Sequence, residues 1–216
     1  MKILVLCDDQ WHPGAVLRQG LKPLTADGFD FDFVEAPRDV LTPDRLRRYD
    51  AVVNARGNAL SAAEPDVPWF EEGVTAVMPE DFRRYVEEGR GFLALHAGNT
   101  SRPGHPMGDF IGNIFRGHPP QCGVTVKPVK AHPITAGIEA FTVRDEHYII
   151  DVTAPDAEVL LESTSDTEAG TQVAGYVRRI GQGHLCCLTP GHTLAVFENG
   201  SYLRLVKQAI HWCAGA

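Results

Sequence analysis

The stretch GFLALHAGNT, residues 91–100, runs four apolar residues behind Gly91 into His96 and then breaks on Ala97 and Gly98. A buried strand that ends so abruptly on small residues reads as a tight corner. Such a corner lifts one side chain above a sheet, beside backbone N–H groups and the start of a helix. In an α/β protein that is the place for a nucleophile, and here it holds an imidazole instead of a thiol or hydroxyl. Gly98 permits close backbone approach at the same corner.

Upstream of the corner, short apolar runs alternate with helix-like stretches. Lys2 to Cys7 reads as a strand, Gly14 to Ala26 as a helix with Val16, Leu17, Leu21 and Leu24 at helical spacing, and Phe29 to Val34 as a strand by its Phe-Asp alternation. Thr42-Pro43 gives a hydroxyl cap and a first-turn proline to a helix reaching about Arg48. Asp50 to Ala55 is a further strand, residues 57–77 are a Gly-, Ala-, Pro- and acid-rich loop or lid, and a helix runs from Pro79 to Glu88. Parallel neighbours need crossover connections, so this order predicts an α/β fold with a doubly wound, mostly parallel sheet. Downstream, strands are expected at Gly123–Val129, Phe141–Ile150, Glu158–Leu161, Val173–Ile180 and His184–Leu188, before a closing helix from Ser201 to Trp212. No linker or repeat interrupts the chain, so residues 1–216 read as a single domain.

Composition removes several function classes. The 216 residues carry 20 Lys plus Arg against 28 Asp plus Glu, a net charge of −8, which opposes nucleic-acid binding. The short basic runs at 45–49 and 82–88 read as exposed helix faces. The first apolar run, Ile3 to Cys7, is too short for a signal-peptide core or a membrane span, so a cytoplasmic protein is expected. Five cysteines without a Cys-x-x-Cys pair read as reduced structural thiols, with Cys186 and Cys187 on opposite faces of one strand. A nucleotide cofactor is not expected, because CDDQWHPG follows the first strand where a glycine-rich phosphate loop would stand. A two-fold homodimer is the default association for such a chain.

Ligands in doubly wound sheets bind outside the carboxyl ends of the strands. That rule gathers Asp8-Asp9, His12 and Trp11 after the first strand, Arg56 after the third, and His96 after the fourth. CCLTPGHT, residues 186–193, is another strand ending in glycine and then His192. Asp145 and Glu146 are the carboxylates best placed to serve two imidazoles, since adjacent strand residues face opposite sides and one could enter the cleft. His118 lies in a Gly/Pro loop and could reach the same place. His132 reads as structural, and His105, His184 and His211 as surface or packing residues.

The order of elements resembles the class I glutamine amidotransferase-like superfamily, whose corner carries a cysteine and whose triad histidine follows a late strand. More specifically the chain is similar to the ThuA-like, or trehalose-utilisation, family. The matching stretches are GFLALHAG at 91–98, IFRGHP at 114–119, HPITAGIEAFTVRDEHY at 132–148 and RIGQGHLCCLTPGH at 179–192, with the terminal YLRLVKQAIHW. His184 stands where the family usually has Arg, and Asp145-Glu146-His147-Tyr148 replaces its usual Asp-Glu-Leu-Tyr. The resemblance implies a flavodoxin-like sheet with extra strands in the second half. His96 then falls at the cysteine position and His192 near the triad histidine, so glutaminase chemistry through a thioester is lost. What remains is a carbohydrate-processing enzyme for a disaccharide or keto-sugar, with His96, His192 and Glu146 catalytic and His118, Asp145, Arg56, His12 and Gly98 in substrate binding. The alternative is a non-catalytic sugar- or protein-binding module. A divalent metal could be held by distant residues such as His12, His96 and His192.

Overall fold

The computed structural model describes residues 1–38, 40–57 and 68–215. The central part of the expected 57–77 loop or lid, residues 58–67, lies outside the described residues. The first half contains β1 (Lys2–Leu6), α1 (Gly14–Leu21), β2 (Asp30–Val34), α2 (Pro43–Leu46), β3 (Ala51–Asn54), α3 (Pro79–Glu87) and β4 (Gly91–Leu95). The second contains α4 (Pro106–Ile111), β5 (Asn113–Gly117), β6 (Cys122–Pro128), β7 (Phe141–Asp145), β8 (Ile149–Val152), β9 (Glu158–Ser165), β10 (Gln172–Ile180), β11 (Gly183–Leu188), α5 (Leu194–Phe197) and α6 (Gly200–Cys213).

A nine-stranded sheet has the order β2-β1-β3-β4-β11-β10-β9-β6-β7. Strands β2, β1, β3, β4 and β11 are parallel to one another, and β10, β9, β6 and β7 extend the sheet in antiparallel fashion. Separately, β5 pairs with β8 in a two-stranded ribbon.

The parallel strands are apolar throughout because both of their faces are covered. Side chains alternate between two clusters: Ile3, Val5, Leu93, Leu95, Cys186 and Leu188 join one core, and Leu4, Leu6, Phe92, Ala94, Leu185 and Cys187 the other. The first core is closed by α1 and α6 through Leu17, Leu21, Leu205, Val206 and Ile210. The second is closed by α3 and α4 through Phe82, Val86, Phe110 and Ile111. Local signals set the helix starts. Thr42 accepts from the Arg45 amide at 3.1 Å with Pro43 in the first turn, and Asn199 accepts from the Tyr202 amide at 3.1 Å.

Three departures from the sequence reading have physical causes. The helix expected over 14–26 ends at Leu21 and continues as a 3-10 turn over Lys22–Asp27, where Pro23 cannot supply an α-helical N–H. The strand expected over 141–150 is two strands in two sheets, broken at Glu146-His147-Tyr148, since Asp145 caps its own neighbour's amide instead of continuing the ladder. Segments α4 and β5, absent from the sequence reading, bracket a turn at Gly112, which has φ +93°.

Since β1 lies between β2 and β3, the chain reverses its direction of winding there, and the parallel strands open a crevice at their carboxyl ends. The far edge strand β7 also reaches that crevice. The Gly191 amide, beyond β11, donates to Asp145 Oδ2 at 2.7 Å, so the antiparallel half curls over to bring the end of β7 beside the end of β11.

Candidate functional site

The corner after β4 is strained and pinned. His96 has φ +45° and Asp8, at the end of β1, has φ +72°; within the described residues they alone among non-glycine residues have positive φ. A Cβ on Gly98 would lie 2.0 Å from the Asn54 carbonyl oxygen, so only glycine fits where the corner presses on β3. Buried Asn99 holds the corner shut, donating from Nδ2 to the carbonyls of Ala94 at 3.1 Å and Leu188 at 3.0 Å. Asn113 Nδ2 in turn donates to Asn99 Oδ1 at 3.1 Å. The turn thus projects His96 upward at the seam between β4 and β11.

Four side chains from distant parts of the chain converge above that seam. Ligand-type atoms of His12, His96, Glu146 and His192 all lie within 4.8 Å of one another. His96 Nε2 is 3.3 Å from His192 Nδ1 and 3.4 Å from Glu146 Oε2, and His192 Nδ1 is 3.3 Å from the same carboxylate oxygen. His118 Nε2 is 3.5 Å from it as well. His12 meets the His96 and His192 rings edge-on, and Tyr148 stacks on His96 at 4.3 Å between centroids. The cluster forms the floor and one wall of an open cleft of about 660 Å³, rimmed by Trp11, Phe115 and Arg102. Trp11 is 69% exposed, whereas His96 is only 2% exposed and sits beneath the cleft surface.

Three of the imidazoles, those of His96, His118 and His12, are oriented from behind. His96 Nδ1 donates to the Thr189 carbonyl at 2.8 Å, which fixes the tautomer of the neutral ring and leaves a lone pair on Nε2. His118 Nδ1 likewise donates to the Pro119 carbonyl at 2.8 Å. His12 Nδ1 pairs with Asp9 Oδ1 at 2.6 Å, while its buried Nε2 has no hydrogen-bond partner among the described residues. Asp9 also receives the Trp11, His12 and Gly57 amides.

Electrostatics follow from this packing. Burial alone would raise the Asp9 carboxyl, but the His12 ring and the surrounding amides bring it down to about 2. Burial holds the His12 pKa below its ordinary value, against the pull of Asp9. The Glu146 carboxylate raises His192 despite burial. Burial would raise Glu146 too, yet hydrogen bonds and charge from His192 and His96 hold it well below the usual carboxylate range. No cysteine lines this cleft among the described residues; burial pushes the Cys7 thiol up to about 12, where it is inert as a nucleophile.

Several expected site residues lie elsewhere. Arg56 is 1% exposed and donates from Nη1 to the carbonyls of Glu35 at 2.6 Å and Cys7 at 3.2 Å, tying β1 to its neighbours instead of facing a substrate. Asp145 is fully buried; its two oxygens receive the amides of Gly191, His192 and Glu146, which makes it the clamp that sets Glu146 against His192. Gly98 serves the corner's close approach to Asn54. Trp69 is 2% exposed and packs edge-on against Phe70 and Phe82, away from the cleft. Conversely, sequence reasoning passed over Asn99, Thr189 and Tyr148. Asn99 is the penultimate residue of the quoted GFLALHAGNT stretch, where a short polar residue after Gly98 was the available signal. His132 caps the turn at Pro133 and meets Trp212, as a structural residue would.

A model of the ThuA family, described as trehalose utilisation, matches residues 4–213. Among solved structures the fold is similar to that of a ThuA-like protein from Bacteroides uniformis ATCC 8492, with TM-score 0.73 and 19% identity over 99% of this chain and 91% of that one. It is also similar to the cytoplasmic protein STM3548 from Salmonella typhimurium, with TM-score 0.69 and 16% identity over 99% of both chains. A glutamine amidotransferase from Thermotoga maritima aligns with TM-score 0.65 and 13% identity, over 100% of this chain and 99% of that one. No curated protein matches the sequence.

Proposed function

This chain belongs to the ThuA family, trehalose utilisation, and from that premise we propose that it is a carbohydrate-processing enzyme acting on a disaccharide or keto-sugar through its histidine and glutamate cluster. The substrate class comes from the family description; the reaction class comes from the side chains. The observation that carries the reading is the convergence of His12, His96, His192 and Glu146 in an open cleft. A site with imidazoles and an ionised carboxylate, and no reactive thiol, suits proton transfer beside a carbonyl or hydrolysis at an acetal, not acyl transfer through a thioester. His118, partly exposed on the cleft wall, is placed to exchange a proton with a bound sugar. Trp11 offers an apolar face at the rim for a sugar ring. The cytoplasm is the compartment we propose, in keeping with the description of the Salmonella fold relative and with the lack, among the described residues, of any helix long and apolar enough to cross a membrane.

The test is to incubate the protein with trehalose, sucrose, lactose and their keto derivatives and to follow product by NMR. Turnover of at least one sugar is expected, with a loss of about 100-fold or more in His96→Ala and in Glu146→Gln and no hydrolysis of glutamine. Equal turnover by these variants would remove the reading. Sugar-dependent thermal stabilisation with no product would favour a binding module instead.

A further inference from the structure

The spacing inside the cluster is long for charge-assisted hydrogen bonds and matches that of metal ligands. Charge-assisted N–H···O contacts close to about 2.7–2.9 Å. The triangle formed by His96 Nε2, His192 Nδ1 and Glu146 Oε2 has edges of 3.3, 3.4 and 3.3 Å. Ligand atoms 2.0–2.1 Å from a tetrahedral ion lie about 3.3–3.4 Å from each other. His96 already spends its Nδ1 proton on the Thr189 carbonyl, so in the neutral ring a bare lone pair on Nε2 faces the carboxylate oxygen. His118 repeats the pattern, with Nδ1 directed to a carbonyl and Nε2 to the same oxygen. A cation at the centre of the triangle relieves the opposition between His96 Nε2 and the carboxylate.

The back of the site is built in the same sense. His12 carries a carboxylate partner on Nδ1, the arrangement that fixes and strengthens metal-bound imidazoles, and its buried Nε2 has no hydrogen-bond partner among the described residues. His96 is hidden below the cleft surface, where a ligand belongs and a group that must touch substrate does not. We propose that the protein holds one first-row divalent metal ion, of the Zn(II) class, on His96 Nε2, His192 Nδ1 and Glu146 Oε2, with His12, whose ligand atom lies within 4.8 Å of those three, behind the ion. Imidazole and carboxylate ligands suit that class. The ion's cleft side is left for a sugar hydroxyl or carbonyl, and His118 remains outside the ligand set.

The inference deepens the carbohydrate reading and rests on the same cluster, but its test reads metal and not product. Protein purified without a histidine tag or chelator is analysed for bound metal, stripped, and titrated with Zn(II) and Co(II). About one equivalent per chain is expected, with a rise in Tm on Zn(II) addition and visible d–d bands of a low-coordinate site in the Co(II) form. Glu146→Gln and His192→Ala should each weaken Zn(II) binding more than about 100-fold, beyond the usual effect of an outer residue, and abolish the rise in Tm. The Tm of each stripped variant, measured alongside, separates a lost ligand from a lost fold. No Zn(II) binding by the wild type, or binding unchanged in both variants, overturns the proposal. A metal-loaded protein inert towards sugars upholds it and removes only the carbohydrate reading.

Discussion

The parallel and antiparallel halves of the sheet contribute to the cleft by different physical routes. In the parallel half, His12, His96 and His192 follow strands buried on both faces, and each is delivered by a short turn whose backbone has little freedom. In the antiparallel half, Glu146 arrives from the far edge strand, and its place depends on the Asp145 clamp across the loop after β11. The rigid half sets where the imidazoles are; the curled half sets whether a carboxylate meets them. Breaking one should damage folding, and breaking the other should damage the site first.

The largest effect is expected for Gly98→Ala. The added methyl group would collide with the Asn54 carbonyl at the most constrained point of the parallel half, at a cost of about 3 kcal/mol or more. Denaturant unfolding should show that loss; a change below about 1 kcal/mol would mean the corner yields more readily than its packing implies. Asp145→Asn comes next. An amide keeps one acceptor but turns a donor toward the amides that the carboxylate receives, costing about 2–3 kcal/mol. Amide exchange should quicken in the loop around Gly191 and His192 before it does in β1 or β4. Uniform acceleration across both halves would erase the distinction between them.

Arg56→Lys is smaller, at about 1–2 kcal/mol, because a lysine cannot reproduce the guanidinium's reach to the Glu35 and Cys7 carbonyls. Its Tm should fall with the apparent sugar affinity unchanged. A rise in KM at constant Tm would return Arg56 to the substrate. The smallest stability effect belongs to Trp11→Ala, within about 0.5 kcal/mol since the side chain is 69% exposed. Sugar affinity should nonetheless weaken by about 2- to 10-fold, the worth of one stacking contact.

The parallel half was legible because its physics is local. Continuous apolar runs, a capped helix start at Thr42-Pro43 and the break at His96-Ala97-Gly98 each report a structure that neighbours in sequence determine. The antiparallel half was less so. Phe141–Ile150 reads as one strand, yet its ladder with β6 ends at Asp145, whose side chain binds amides nearly fifty positions away, and no local pattern carries that. The same non-locality misplaced side chains. Arg56 follows a strand as a substrate ligand would, but the carbonyls of Cys7 and Glu35 lie within its reach, and these are set by the pairing of β1 with β2. Likewise, the sequence showed His12, His96, His192 and Glu146 as separate candidates, whereas their common focus is a property of the curl between the two halves.

The most direct measurement is anomalous diffraction, across the zinc absorption edge, from crystals of the tag-free protein. A single peak about 2.0–2.2 Å from His96 Nε2, His192 Nδ1 and Glu146 Oε2 is the expected result. Electron density in which these three side chains point apart, or a metal peak seated away from them, would contradict the account.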